Sequence, residues 1–213
     1  MYTKRSSVSK TWPIPRKGTT YIVVPSHAKK TGIPLLIILR DLLDLVKTSR
    51  ELKKIILEKK VLINNRYIRE GNYSLQLFDT ISLPSINKYY KIIYSQNGKI
   101  DVQEINEAES KEKVSKVINK KILSGKQIQL NLQDGRNILS KDSVKIGDSI
   151  LVNFEKKNIE KVLPIKEKTN ILVIKGKHRG KSGVISEIKE KELKVNLEGK
   201  ELIIKENEII VTK

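Results

Sequence analysis

The stretch PLLIILRDLLDLVKTSRELKKIILEKKVLINNRYIREG, residues 34–71, predicts two helices followed by a β-hairpin. Apolar side chains recur with helical spacing over residues 35–45. Pro34 suits the first position of that helix, because a backbone N–H at this position would have no partner within the helix. Thr48 and Glu51 have the spacing of a capping box, which predicts the start of the second helix.

The hairpin prediction rests on the residues that follow the second helix. Asn64 and Asn65 suit a two-residue turn that requires positive φ, so residues 61–63 and 67–68 are predicted to pair as strands. With the next apolar segment, NYSLQLFDTISL at residues 72–83, this stretch predicts a compact helix-helix-hairpin unit over residues 34–83.

Basic side chains crowd the polar half of this unit, with few acids among them. Such a cluster is typical of a surface that binds the phosphates of a nucleic acid. The cluster around the second helix and the hairpin consists of Arg40, Lys47, Arg50, Lys53, Lys54, Lys59, Lys60, Arg66 and Arg69.

The unit resembles the S4-type RNA-binding module. The resemblance is carried by R-D at residues 40–41, S-R-E at residues 49–51 and V-L-I-N at residues 61–64. Asn65 stands where the module usually has glycine, and Lys53 where it usually has alanine or the neighbour of that alanine. The resemblance implies RNA binding by the second helix and the hairpin.

Charge and composition favour a polyanion as partner. The 213 residues include 43 Lys and Arg against 24 Asp and Glu, a formal charge of +19. A lysine-rich surface that only kept the protein in solution would interleave both signs, whereas residues 1–33 contain seven basic side chains and no acid. The low aromatic content of 5% favours small β-rich modules over one large core.

Residues 1–33 are predicted to form an extended basic arm, because proline and glycine interrupt any regular element. The arm contains Trp12 in the segment KTWPIPRK, residues 10–17, with Lys10, Arg16 and Lys17 beside it. Two roles for Trp12 stay open at this point. The indole either anchors the arm on the neighbouring module or stacks on a nucleotide.

The order of three segments extends the resemblance to a family. KTWPIPRK at residues 10–17, PSH at residues 25–27 and IPLLIILRDLLDLVKTSRELKKII at residues 33–56 follow each other as in the S4e family of archaeal and eukaryotic small-subunit ribosomal proteins. QLNLQDGRNIL, residues 129–139, is similar to the central-domain signature of that family. The resemblance implies a structural ribosomal protein that binds small-subunit rRNA.

The segment NILVIKGKHRGKSGVISEI, residues 170–188, resembles a KOW motif, a short β-barrel element. Gly176, Gly180 and Gly183 would allow close backbone approach and positive φ between two strands. The sequence Gly-Lys-Ser at residues 180–182 is not a nucleotide-binding phosphate loop, because a strand pattern follows it instead of a helix.

The predicted fold is therefore α+β and multi-domain. It consists of the extended basic arm at residues 1–33, the S4-type helix-helix-hairpin module at residues 34–83, a small all-β central domain at residues 84–166 and a C-terminal KOW-type small β-barrel at residues 167–213. Turn signals at residues 96–99 and 134–135 support hairpins within the central domain.

Catalysis and cofactors have no support in the sequence. The chain has no cysteine and only two histidines, His27 and His178, so we expect no metal, no cofactor and no enzymatic activity. No apolar run approaches the roughly 18 residues of a membrane span. We expect a cytoplasmic protein in the ribosome, without membrane contact and without homo-oligomerisation.

The function predicted from the sequence is that of a structural constituent of the small ribosomal subunit, with small-subunit rRNA and neighbouring ribosomal proteins as partners. The alternatives are an RNA-binding assembly or transcription-coupled factor outside the ribosome, and an RNA-modifying enzyme guided by the S4-type module. The predicted RNA-binding residues are Lys10, Trp12, Arg16, Lys17, Arg40, Arg50, Lys53, Lys54, Lys59, Lys60, Asn64, Arg66, Lys175, Lys177, His178, Arg179 and Lys181.

Overall fold

The computed structural model describes residues 2–123, 127–140, 144–156, 158–189 and 192–212. The chain forms two compact units. Unit 1 consists of Met1–Ser95 and Lys99–Lys111, and unit 2 of Gln96–Gly98 and Glu112–Lys213. The fold is mostly β with few helices.

The first predicted helix forms, but it is shorter than expected and changes its winding. Helix α1, Leu35–Ile37, continues directly into a π-helical turn, Ile38–Leu42, which the Leu43 N–H closes on the Ile38 carbonyl at 3.0 Å. Pro34 lies before the helix as its N-cap, with ψ at 141°. Asp44 adopts a φ of 49°, a left-handed conformation that ends the helix before Leu45.

The second predicted helix is confirmed as α2, Ser49–Leu57, with its capping box. The Glu51 N–H donates to Thr48 Oγ1 at 3.2 Å, and the Glu51 carboxylate accepts from the Thr48 and Lys47 N–H groups. The Lys47 N–H is the main cause that lowers the pKa of Glu51. Leu52 is buried on the core face of the helix.

The strands of unit 1 form one five-stranded antiparallel sheet and two short ribbons. They are β1 Tyr2–Lys4, β2 Tyr21–Val23, β3 Ile33–Pro34, β4 Leu62–Ile63, β5 Arg66–Tyr67, β6 Ser74–Leu75, β7 Thr80–Leu83, β8 Lys88–Tyr94 and β9 Ile100–Ile105. The large sheet has the order β5-β4-β7-β8-β9, while β1 pairs with β2 and β3 with β6. The hairpin turn is confirmed, since Asn64 and Asn65 have φ values of 49° and 59°. A short helix α3, Glu107–Ser110, follows β9.

The sheet of unit 1 continues beyond the boundary predicted after Leu83. A 3-10 turn, Pro84–Ile86, connects β7 directly to β8, and Leu83 pairs with Lys88. The β8–β9 hairpin therefore belongs to the sheet of the helix-helix-hairpin unit and not to a separate central domain. The proline at residue 84 marks a tight connection between adjacent strands.

The prediction of an extended arm is wrong, because residues 2–33 fold into unit 1. Strand β1 pairs with β2, and Trp12 is only 4% exposed, with its Nε1–H donating to the Gly32 carbonyl at 3.2 Å. The Arg5 guanidinium donates to the carbonyls of Pro15 at 2.6 Å and Thr19 at 2.8 Å, which satisfies the backbone of an irregular segment. Proline prevented long helices here without preventing packing.

Unit 2 contains two five-stranded antiparallel sheets. The first has the order β12-β11-β10-β13-β14 and consists of β10 Glu112–Ile122, β11 Ile128–Leu132, β12 Asn137–Ser140, β13 Ser149–Asn153 and β14 Ile159–Leu163. The second has the order β18-β17-β16-β15-β19 and consists of β15 Asn170–Val173, β16 Ser182–Lys189, β17 Glu192–Leu197, β18 Lys200–Lys205 and β19 Ile209–Val211.

Side chains of the first sheet hold the last strand of the second. The Lys116 ammonium donates to the carbonyls of Glu206 at 2.5 Å and Ile209 at 2.9 Å. The Val211 N–H donates to Ser149 Oγ at 3.0 Å. The two segments predicted as separate domains at residues 84–166 and 167–213 thus share one compact unit from Glu112 onward.

The buried indole yields a stability prediction. Replacing Trp12 with alanine should lower the free energy of unfolding of unit 1 by about 3–5 kcal/mol, because a large aromatic side chain leaves a cavity. Urea unfolding followed by far-ultraviolet circular dichroism measures the loss. Tyr21→Ala is the matched control, since this aromatic side chain is 60% exposed. Equal stability of the two variants would contradict the anchoring role of Trp12.

Candidate nucleic-acid interface

The outward face of α2 carries three basic side chains in a row. Arg50, Lys53 and Lys54 follow the spacing i, i+3 and i+4, which places them on one side of the helix, and all three are exposed. Leu52 and Ile56 occupy the opposite, buried side. Within the described residues none of the three forms an ion pair, although Lys54 contributes to lowering the pKa of Glu58.

The β4–β5 hairpin extends this surface. Lys59, just after α2, has its Nζ 5.9 Å from the centroid of the Tyr67 ring on β5, and Arg66 beside it is exposed. Lys60 pairs with Glu58 at 2.6 Å on the open surface, where such a contact contributes little. We call Arg50, Lys53, Lys54, Lys59, Lys60 and Arg66 the α2 surface.

Tyr67 is a residue that the sequence reasoning missed as a candidate contact. Its side chain is 60% exposed at the edge of the α2 surface. An exposed aromatic ring among cations is typical of surfaces that stack unpaired bases. The sequence feature that could have identified Tyr67 is its position two residues after the Asn-Asn turn, beside Arg66.

Arg40 forms an ion pair with the adjacent Asp41. Its Nε and Nη2 donate to Asp41 Oδ1 at 2.8 Å and Oδ2 at 2.9 Å, a bidentate contact. The hydrogen bond to Asp41 raises the pKa of Arg40, against the lowering effect of partial burial. The charge that Arg40 would offer to a phosphate is therefore largely compensated by Asp41.

The prediction that Asn64 contacts RNA is contradicted by its burial. Its side chain is 2% exposed, its Nδ2 donates to Asp79 Oδ1 at 2.7 Å, and its Oδ1 accepts from the Thr80 N–H at 3.0 Å. Asn64 thus holds β4 against the start of β7. An asparagine at a turn has the same sequence signature whether its amide faces the core or the solvent.

Trp12 does not stack on a nucleotide either. Its burial and its hydrogen bond to Gly32 decide between the two roles left open by the sequence. The predicted arm contacts Lys10, Arg16 and Lys17 are all exposed.

A second basic surface lies in the loop between β15 and β16, residues 174–181. Lys175 and Lys177 are exposed there, and His178 is half-buried. Arg179 Nε donates to the Ile174 carbonyl at 2.9 Å, and Lys181 Nζ lies 2.6 Å from Glu198 Oε2. The predicted contacts therefore have different roles. Arg179 and Lys181 form contacts that hold the loop, while Lys175 and Lys177 face the solvent.

Glycine has two different uses in and beside this loop. Gly176 and Gly180 have φ values of 82° and 87°, which other residues rarely adopt. Gly183 on β16 is needed for a different reason, since a Cβ there would collide with the Asn196 carbonyl of the adjacent strand. Gly183 therefore serves strand packing and not phosphate approach.

Among the described residues of unit 2, two lysines are buried. Lys113 is 2% exposed, with its Nζ 2.9 Å from Asp134 Oδ2. Burial alone would raise the pKa of Asp134, but the charge and hydrogen bond of Lys113 outweigh it and hold this pKa below its usual value. Burial lowers the pKa of Lys116 to about 8, against the opposing charge of Glu206. Neither side chain is available to an external polyanion.

Two further properties of the described ranges concern a metal site and a membrane-spanning helix. Those residues contain no group of three or more His, Cys, Asp or Glu that could hold a metal ion. No helix found in them is both long enough and apolar enough to cross a membrane.

Exposed cations without ion-pair partners, presented by small β-rich units, are typical of proteins that bind a polyanion. Comparison with known proteins shows which family within this class the chain resembles. Residues 86–159 match the model of the ribosomal family S4e. The chain is 34% identical over 189 residues to the small ribosomal subunit protein eS4 of Methanocella arvoryzae, covering 87% of this chain and 80% of that protein.

Further relatives agree. The protein of the same name from Nanoarchaeum equitans is 35% identical over 186 residues, covering 85% of this chain and 80% of its own length. The crystal structure of the 30S ribosomal protein S4e from Thermoplasma acidophilum is similar with a TM-score of 0.72 at 25% identity, covering 86% of this chain and 95% of that chain. The chain belongs to the ribosomal S4e family, which confirms the resemblance seen in its motifs.

The burial of Lys116 predicts a pH dependence of stability. Its pKa is about 8 in the folded state and 10.5 when unperturbed, so between these values the unfolded chain binds a proton that the folded chain has released. The contribution of Lys116 to stability therefore rises as the pH increases from 7.5 to 10, by about 1–3 kcal/mol. Urea unfolding of the wild type and of Lys116→Met at both pH values measures it.

The control for this measurement is Lys161→Met, at an exposed position of β14. Groups that do not interact with Lys116 contribute equally to the stability of the wild type and of the variant and cancel in the difference. A stability difference between wild type and Lys116→Met that does not change with pH would contradict the lowered pKa.

Proposed function

We propose that the protein is a structural constituent of the small ribosomal subunit that binds small-subunit rRNA through separate basic surfaces. The observation that carries the proposal is the α2 surface, where Arg50, Lys53 and Lys54 lie on one exposed helix face and form no ion pair with any described residue. Membership of the S4e family gives this surface its partner, since the relatives are named as proteins of the small subunit.

Contacts to phosphates supply most of the affinity in this proposal. Each phosphate neutralised by Lys or Arg releases about 0.7–0.9 of a counterion, which favours association. Recognition then follows the shape of the RNA backbone and not the order of its bases. Tyr67 adds a flat ring on which one unpaired base at the edge of the α2 surface stacks.

The loop between β15 and β16 is the second anchor. We assign residues 167–213 to a KOW-type small β-barrel on the basis of the motif and of the antiparallel sheet that contains it. Lys175 and Lys177 provide the charge, and Gly176 between them supplies the positive φ that the turn requires, with the Glu208 carboxylate next to it. Arg179 and Lys181 keep the loop in this shape through their own contacts.

Two compact units with one anchor each let a single protein bind RNA at more than one point. Lys10, Arg16 and Lys17 in the first unit add exposed charge without any acid within residues 1–33. Neighbouring ribosomal proteins complete the set of partners, and the site of action is the ribosome in the cytoplasm. The role is structural and involves no catalytic step.

Charge reversal on α2 tests the proposed interface. The triple variant Arg50→Glu, Lys53→Glu and Lys54→Glu should weaken binding to a small-subunit rRNA fragment by at least tenfold and reduce the slope of log affinity against log salt by about 2–3, because each lost phosphate contact removes about one counterion. Filter binding between about 50 and 200 mM salt measures the affinity and its salt slope.

The matched control reverses three other exposed lysines, Lys161, Lys166 and Lys200, and changes the net charge by the same amount. It should retain most of the affinity. Circular dichroism checks that both triple variants are folded. Equal losses in the two variants would show that only net charge matters and would contradict a specific α2 surface.

Co-sedimentation tests whether the protein is a stable part of the subunit. Tagged protein expressed in its source organism should remain with mature small subunits after a high-salt wash, because several anchors rarely dissociate at the same time. A protein that leaves in the wash, or that is found only with immature particles, is an assembly factor, and that result would contradict a structural role.

A further inference from the structure

Unit 1 contains a cavity that the proposed rRNA surfaces do not use. It has a volume of about 310 Å³ and lies between β1, the following segment and the turn after β2. This volume is at the lower end of the roughly 300–1,000 Å³ that small-molecule sites occupy. The residues that define its character are Tyr2, Thr3, Ser7, Trp12, Pro25 and Lys29.

The apolar part of the cavity is lined by two aromatic side chains and a proline. Trp12, 4% exposed, and the buried Pro25 lie at its base, while Tyr2, 73% exposed, lies at its rim. A tyrosine with so much of its ring in water, next to a cavity with an aromatic base, offers a stacking surface to a ligand that enters from solvent.

The polar part of the cavity has unused hydrogen-bonding groups. Within the described part of the chain the hydroxyls of Thr3 and Ser7 have no hydrogen-bond partner, so both are free to donate to or accept from a ligand. Lys29 is exposed at the same cavity and forms no ion pair with a described residue, and residues 1–33 contain no acid. The ligand that complements these groups is a flat ring with polar edges and a nearby negative charge.

We propose that this cavity binds one unpaired nucleobase of an RNA strand, with the base stacked on Tyr2, its edge at Thr3 and Ser7, and its phosphate next to Lys29. Base–aromatic stacking combined with a lysine on the backbone is the usual arrangement for single-stranded RNA. An apolar side chain of a partner protein would leave the lysine and both hydroxyls without a role. The proposal rests on the proposed function only in taking RNA as the ligand.

The site differs from the one that the sequence suggested for a stacked base. The sequence suggested Trp12 for that role, but Trp12 forms the floor of the cavity, where its Nε1–H donates to the Gly32 carbonyl. Tyr2 takes the stacking role because its ring is exposed.

Trp12 also reports on the cavity, since it is the single tryptophan of the chain. Titration with a uridine hexamer should change its fluorescence in a saturable way. A hexamer of abasic ribose phosphates with the same charge should bind at least fivefold more weakly, because stacking contributes several-fold to each base bound. Equal binding of the two hexamers would overturn the proposal.

Variants separate stacking from charge. Tyr2→Ala should weaken binding of the uridine hexamer about tenfold and Tyr2→Phe should retain it, since phenylalanine keeps the ring. Tyr21→Ala is the matched control, because Tyr21 is 60% exposed and does not line the cavity. Lys29→Ala should lower the salt dependence, whereas Lys88→Ala, at an exposed position outside the cavity, should not. Unchanged affinity in Tyr2→Ala would overturn the proposal.

The same titration in the Arg50→Glu, Lys53→Glu, Lys54→Glu background keeps the two proposals apart. The fluorescence change should persist there, because the cavity includes no residue of the α2 surface. Loss of the signal in this background would place the hexamer on the α2 surface and overturn the cavity proposal, while leaving the rRNA interface intact.

Discussion

The burial of residues 33–39 is the interaction on which unit 1 depends. Every side chain of this segment is buried, in a chain whose hydrophobic content is only 38%. Trp12, Ile63 and Ile81 from the arm, β4 and β7 belong to the same core. One apolar segment supplies the contact surface for many elements. The surface of the unit can therefore carry many positive charges, because the buried segment offsets their mutual repulsion.

The structure separates the basic residues by task. Lys113 and Lys116 are buried and hold strands and segments together, Arg5 and Arg179 satisfy backbone carbonyls, and Arg40, Lys60 and Lys181 form ion pairs at the surface. The cations that form no ion pair with a described residue, and so stay available to an external partner, include Arg50, Lys53, Lys54, Lys175 and Lys177. Net charge alone does not describe the binding capacity of such a protein. Its effective surface is defined by the cations that its own carbonyls and carboxylates have not already engaged.

Sequence reasoning found the elements with strong local signals and missed those decided by distant contacts. The capping box at Thr48 and the Asn-Asn turn depend on a few neighbouring residues, and both are as predicted. The folding of the arm and the burial of Asn64 depend on residues farther away in the chain, whereas the sheet continues past Pro84 through a tight turn that the sequence reasoning interpreted as a domain boundary. Composition correctly indicated basic surfaces, but only the fold shows which cations are exposed.

The bonds of Lys116 and Ser149 join residues that are made at widely separated times during synthesis of the chain. The carbonyls bound by Lys116 come 90 and 93 residues later, and the N–H bound by Ser149 comes 62 residues later. The residues of unit 1 all lie before residue 112, so we expect this unit to fold while the remainder is still being translated. Unit 2 completes its contacts only when residues 206–211 have emerged, which leaves a long basic segment exposed to nearby RNA in the interval.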